Sequence, residues 1–269
     1  MSDTPRTAIV TGAGGAIGSA ITASLRARGW DVAGLDLHAD PSAGILECDV
    51  TDDASVTAAV PAAIEQLGGR LGALVNNAGL GGPASAGAPP DEHVRRMLDV
   101  NLLGAWRVTA AAIEPLVESL GQVVMIASRM AFLGLPLGAA YGVSKRALTA
   151  YADALRAEYG THVGVTSIHP AFIRTPIHDR TREAGLNLEG FSREEPLDGV
   201  VAKVVAACEG GGGRDVAITR GGGLQLAVAR HLPGLVDRVV ARTLKKRIAA
   251  GELDPAPIAA GLRRRHGRS

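Results

Sequence analysis

Between residues 7 and 219 the chain alternates short apolar runs with longer segments whose apolar residues recur every three or four positions. The runs 7–10, 31–35, 44–48, 73–75, 123–127, 163–168 and 215–219 are short and apolar between turn signals, so they read as strands. Helical spacing fills the intervals. Ile21, Leu25 and Arg28 form one helix, stopped by Gly29, and Val56, Val60, Ile64 and Leu67 form another, with Asp53 as its expected cap. A longer helical stretch, 91–119, carries Asn101 among Val100, Leu102, Leu103 and Trp106, and Pro115 predicts a kink or an early end. Ala147, Leu148, Tyr151, Ala154, Leu155 and Glu158 mark the next helix; 200–208 marks another, broken by the glycines at 210–213. The pattern is that of an α/β protein.

Chemistry concentrates in 122–159. The fifth run ends at Ser128, a Gly/Pro-broken loop follows, and a helix starts near Tyr141. Tyr141 and Lys145, four apart, share one helix face. A tyrosine titrates near pH ~10, and an ammonium one turn away favours its phenolate, which would make the phenol a usable acid/base. Ser128 at the strand end would orient a substrate oxygen. A tyrosine and a lysine on a solvated helix face would show the same spacing, so the rest of the chain has to decide.

The first strand runs into residues 11–18, Thr-Gly-Ala-Gly-Gly-Ala-Ile-Gly, and then a helix. Strand, glycine turn and helix is how a dinucleotide pyrophosphate is held, with the backbone of Gly12, Gly14, Gly15, Ala16, Ile17 and Gly18 approaching the anion. Asp36 ends the second strand, 18 residues past Gly18. Its carboxylate suits a ribose 2′-OH and repels a 2′-phosphate, which favours NAD over NADP. Asp49, before Val50, either meets the adenine amino group or caps the next turn. Asn76, Asn77, Ala78 and Gly79 follow the fourth strand; these amides either tie strand ends together or meet the cofactor.

Composition changes this picture little. The chain of 269 residues is 46% apolar but only 3% aromatic, so Ala, Val, Leu and Ile must build the core, and the formal charge of +1 argues for no nucleic-acid partner. Cys48 and Cys208 read as reduced, buried thiols. No metal-ligand cluster is expected. With no leader pattern and no long apolar run, the expected setting is the cytoplasm.

Taken together, residues 11–18, Asp36, Asp49-Val50, 76–79, Asn101, Ser128, Tyr141-x-x-x-Lys145 and 170–175 resemble the short-chain dehydrogenase/reductase family. The resemblance implies a Rossmann-type, doubly wound, mostly parallel seven-stranded sheet with helices on both faces, as one domain over 1–220. It implies hydride transfer between a nicotinamide cofactor and an alcohol/carbonyl pair. Tyr141 would be the general acid/base and Lys145 would lower its pKa and hold the nicotinamide ribose. Ser128 would position the carbonyl, Asn101 would hold a water of the proton relay, and Pro170, Ile173 and Thr175 would meet the nicotinamide end. Ala16 stands where many members have Gly, and Pro170-Ala171 replaces the usual Pro-Gly, which questions the local loop geometry. His169 reads as a loop-packing residue.

In this family the segment near 172–198 is the substrate lid. Its apolar residues, with Met130, Phe132, Leu133, Leu135 and Leu137 of the loop before Tyr141, fit a lipophilic ketone or secondary alcohol, or simply a lid that must close. Residues 221–250 form an amphipathic basic extension in two helical pieces, 224–232 and 235–248, separated by Pro233 and Gly234. It would cover the pocket or a subunit interface, in a homodimer or homotetramer, with membrane contact secondary. Residues 251–269 read as a flexible basic tail. Rival readings are a non-catalytic dinucleotide sensor of the same fold, which would need no Ser, Tyr and Lys together, and a sugar-nucleotide epimerase, which normally has a larger C-terminal domain.

Overall fold

In the computed structural model, residues 4–186 and 194–266 are described. Seven strands form one sheet in the order β3-β2-β1-β4-β5-β6-β7. They are β1 Thr7–Thr11, β2 Asp31–Asp36, β3 Ile45–Glu47, β4 Ala73–Asn76, β5 Gln122–Ile126, β6 Gly164–His169 and β7 Asp215–Ala217. Every neighbouring pair is parallel. Such a sheet buries both faces, which is why the runs are apolar throughout rather than alternating. Side chains still alternate between faces. Ile9 and Leu74 pack with α2 (Asp53–Gln66), α4 (Ala105–Glu118) and α5 (Ala139–Tyr159), while Ala8, Val10, Ala73 and Val75 pack under α1 (Ala16–Arg26) and α7 (Leu197–Ala206).

Local details depart from expectation in informative ways. The cap of α2 is Asp52, whose carboxylate accepts from the N–H groups of Ala54 and Ser55, so Asp53 is the first helical residue. The stretch 91–119 is not one helix. α3 (Glu92–Leu98) passes into a π-helical segment, Asp99–Gly104, before α4 begins. Pro115 lies inside α4, which continues past it to Glu118, and the break falls instead at Asn101.

Beyond β7, α8 (Arg220–His231) and α9 (Pro233–Ala249) match the two expected pieces. The expected flexible tail is a correction over 251–266. Leu253, Ala256 and Ala259 are buried with Leu137, Leu186 and Leu244, and α10 (Ala260–His266) follows. Apolar burial against the body of the protein outweighs the basic composition there. Among the described residues, no helix is long and apolar enough to cross a membrane. Cys48 and Cys208 are free and buried.

Candidate active site

The site lies at the carboxyl ends of the strands, where the order reverses between β1 and β4, the place at which open α/β sheets bind ligands. Between them runs a cleft of about 420 Å³, lined by Gly12, Gly14, Gly15, Ala16, Ile17, Asp36, Asp49, Val50, Asn77, Ala78, Gly79 and Thr175. Gly12 has φ +65°, and a Cβ there would lie 2.9 Å from the Ala78 backbone. Gly18 does not line the cleft; a Cβ there would run into the Gly12 carbonyl, so it packs α1 onto the turn. No side chain caps the N-terminus of α1, which leaves its first N–H groups for an anion.

Asp36 accepts from Gly14 N (2.8 Å) and Leu37 N (2.8 Å), holding the turn while lining the cleft. Asp49 accepts from the Thr51 N–H (2.9 Å) and hydroxyl (2.7 Å), the turn-capping alternative, while also lining the cleft. Asn77 donates to the carbonyls of Thr11 (2.9 Å) and Gly12 (3.2 Å), and the Thr11 hydroxyl accepts from Asn77 N and Ala78 N, both at 3.0 Å. Strand-end tying is therefore what the Asn77 amide does. Asn76 instead turns into the core and donates to Thr109 (2.8 Å).

The cleft opens into a chamber lined by Asn77, Gly79, Ser128, Tyr141, Lys145, Pro170, Ile173 and Thr175. Ser128 is brought there by β5 and accepts from Met130 N (3.2 Å). His169, fully buried at the end of β6, has Nδ1 3.2 Å from the Ser128 carbonyl and Nε2 2.8 Å from Asp215. It anchors the serine loop, consistent with a packing role. Lys145 is buried, and its ammonium donates to the Ile126 carbonyl (2.8 Å), 5.9 Å from the Tyr141 ring centre. Burial pushes its pKa down to about 8. Burial raises that of Tyr141, opposed by a hydrogen bond with Ser128. The expected lowering of the phenol by Lys145 is absent from this arrangement, because the ammonium is turned to a backbone carbonyl and desolvation dominates. Asn101 Oδ1 accepts from Leu80 N (2.7 Å), and its amide donates to the Leu80 carbonyl (2.9 Å) and the Ser144 hydroxyl (2.9 Å). A Cβ on Gly79 would lie 3.4 Å from Asn101 Oδ1 and 3.5 Å from Lys145 Nζ, so the two groups converge on one glycine.

The short chain dehydrogenase model matches residues 6–185, two-thirds of the chain, over the elements just described. The chain belongs to the short-chain dehydrogenase/reductase family. Among curated relatives, the 1-deoxy-11-beta-hydroxypentalenate dehydrogenase of Streptomyces avermitilis is 36% identical over 73% of this chain and 80% of its own. A short-chain type dehydrogenase/reductase of Sinorhizobium fredii is 33% identical over 71% of this chain, which spans only 37% of that protein's length. Among solved structures, a short chain dehydrogenase of Burkholderia cenocepacia in complex with NADP superposes with a TM-score of 0.74 at 26% identity, over 91% of this chain and all of that one.

As a member of the short-chain dehydrogenase/reductase family the chain is an oxidoreductase with an NAD(P) site, and the glycine cradle and uncapped helix fit that cofactor. Pro170-Ala171 is accommodated. Among the described residues only Leu120 and Leu137 are non-glycine residues with positive φ, so Ala171 needs no glycine conformation, and its N–H donates to Glu195 (2.8 Å). Several site residues escaped the motif reading. Arg96 lines the cleft 3.9 Å from Asp49. Arg129 and Glu195 form a buried ion pair at 2.8 Å directly behind Ser128. His178, Leu244 and Leu253 share a pocket with Tyr141. Helical periodicity marked Leu244 as apolar, whereas Leu253 falls in the segment read as a tail; only the folded chain shows that both meet this pocket.

Proposed function

We propose that this enzyme is an NAD-preferring dehydrogenase/reductase that interconverts a lipophilic secondary alcohol and its ketone. The observation that carries the reading is one chamber holding Ser128, Tyr141 and Lys145 on its polar side and Met130, Leu133, Leu135 and Phe172 on its apolar side. When bound, the nicotinamide cofactor supplies or accepts the hydride. Ser128 holds the substrate oxygen beside the Tyr141 phenol, and Tyr141 passes a proton to or from that oxygen. Its raised pKa keeps it protonated, the form that ketone reduction requires, and an ammonium reoriented from Ile126 toward a bound ribose would favour the phenolate for the reverse direction. Gly79 and Lys145 line the chamber, with Asn101 packed against Gly79.

Asp36 supports NAD, since a carboxylate held against the glycine turn at the cleft suits a ribose 2′-OH and repels a 2′-phosphate. The C-terminal extension supports an apolar substrate, because Leu244 and Leu253 reach the pocket that Tyr141 lines. A non-catalytic sensor would have no use for this polar set. Oligomer formation belongs to the same reading: Leu103, Trp106 and Val143 remain exposed on the outer helical layer, where a second copy would cover them.

Tyr141→Phe tests the mechanism. Assayed by absorbance of the reduced cofactor on a panel of lipophilic alcohols and ketones, turnover should fall by ~10²–10⁴ while cofactor binding is kept. Near-normal turnover in the variant would refute the assignment.

A further inference from the structure

The two helices α8 and α9 lie outside the segment that matches the family model, yet they build a groove of about 460 Å³. Leu224, Leu235 and Val239 on its lip are about half exposed or more, an uncommon arrangement for side chains with no function on a surface. The groove is not isolated. Leu133 and Leu135, in the loop between Ser128 and α5, line it on one side and the catalytic chamber on the other.

The chamber has a second apolar extension, the lobe where Tyr141 meets Leu137, Leu186, Leu244 and Leu253. That lobe holds only about 40 Å³, room for about three water-sized groups. A ketone seated on Ser128 and Tyr141 therefore has one short direction and one long one. The long direction points to the groove, which shares Leu133 and Leu135 with the chamber.

Charge narrows what fits. Arg129 is the one charged residue lining the groove among the described residues, and it is engaged, with Glu195 at 2.8 Å and Gln225 at 2.7 Å. Among the described residues, no free cation lines the groove to hold a carboxylate or phosphate. An uncharged, apolar occupant fits this lining.

We propose that the α8–α9 groove is a substrate subsite that takes the longer, uncharged alkyl arm of an unsymmetrical ketone or secondary alcohol, with Leu133 as its threshold and the Leu244–Leu253 lobe holding the short arm. This rests on the alcohol/ketone reading above and adds the shape of the substrate to it.

A series of methyl ketones from 2-butanone to 2-dodecanone tests it, with wild type, Val240→Trp, which fills the groove, and Leu235→Gln, which makes its lip polar. In wild type kcat/KM should rise about fourfold for each methylene that reaches the groove. In both variants the ratio of kcat/KM for 2-dodecanone over 2-butanone should fall at least tenfold. Displacement of Nile red by 2-dodecanol, read by fluorescence, gives a binding measurement that needs no turnover; it should occur in wild type and weaken in the variants. If no ketone is turned over but 2-dodecanol still displaces the dye in wild type only, the reaction is misassigned and the subsite stands. If ketones are turned over with no chain-length dependence, or with one that both variants keep, the subsite is refuted and the reaction stands. Variants that keep the chain-length ratio but change mass on a sizing column, or lose binding to anionic vesicles, would give the groove to a second copy or a bilayer and overturn the proposal.

Discussion

Lys145 is a buried ammonium that weakens the free enzyme's fold, and Lys145→Met measures by how much. Its pKa in the fold is about 8 against 10.5 when exposed, a difference of about 2.5 units or about 3 kcal/mol. The sign follows from proton counts. Between pH 8 and 10.5 the unfolded chain holds this proton and the folded chain has released it, so stability rises with pH across that window. Below pH 8 both states hold it, and the fold bears the full burial cost. Methionine removes the charge at nearly the same length, but leaves the Ile126 carbonyl without its donor, a loss of about 1–3 kcal/mol. At pH 7 the two effects nearly offset, so the variant should match or slightly exceed the wild type in stability while losing activity. The decisive quantity is the change with pH, from which the lost hydrogen bond cancels. Urea unfolding of the cofactor-free proteins at pH 7 and pH 10 should show the wild type gaining about 2–3 kcal/mol relative to Lys145→Met. Other groups that titrate in this range are common to both proteins. A relative gain below about 1 kcal/mol, or one of opposite sign, would show that the ammonium is not desolvated as described.

Three further outcomes are expected. Asp36→Ala should narrow the preference for NAD over NADP by about 10–100-fold in kcat/KM ratios, the scale of hydrogen bonds to a charged group; a wild type that prefers NADP would instead point to Arg96 as the deciding cation. Glu195→Ala leaves the buried Arg129 without its counter-charge, with the neutral Gln225 beside it, and should lower stability by about 3–5 kcal/mol in urea unfolding. A loss below 1 kcal/mol would mean that water reaches the guanidinium. Leu253→Ala opens the wall of the Tyr141 pocket, and should raise KM for an apolar ketone about tenfold, about 1.4 kcal/mol of lost apolar contact, with little change in kcat. An unchanged KM would place the extension outside the substrate's reach.

The amino-acid sequence alone determined the strands, the helices that separate them and the chemistry at the strand ends. Each is a local property: apolar runs and periodicity report burial, and the glycine turn, Asp36, Ser128 and the Tyr141–Lys145 spacing are set within a few residues of one element. Even the two helices of the extension were legible, because Pro233 and Gly234 interrupt the pattern between them. The tertiary structure alone decided what depends on distant segments meeting. Which way the Lys145 ammonium turns depends on the Ile126 carbonyl of another element, and the π-helical break at Asn101 depends on the Leu80 backbone that its amide binds. The fate of residues 251–266 was not legible either. Their basic composition favours solvent, and only the presence of Leu137, Leu186 and Leu244 from three separate parts of the chain gives Leu253, Ala256 and Ala259 an apolar surface to bury. Contacts between residues far apart in the chain carry no periodic signal, so the walls of the substrate pocket became visible only once the chain was folded.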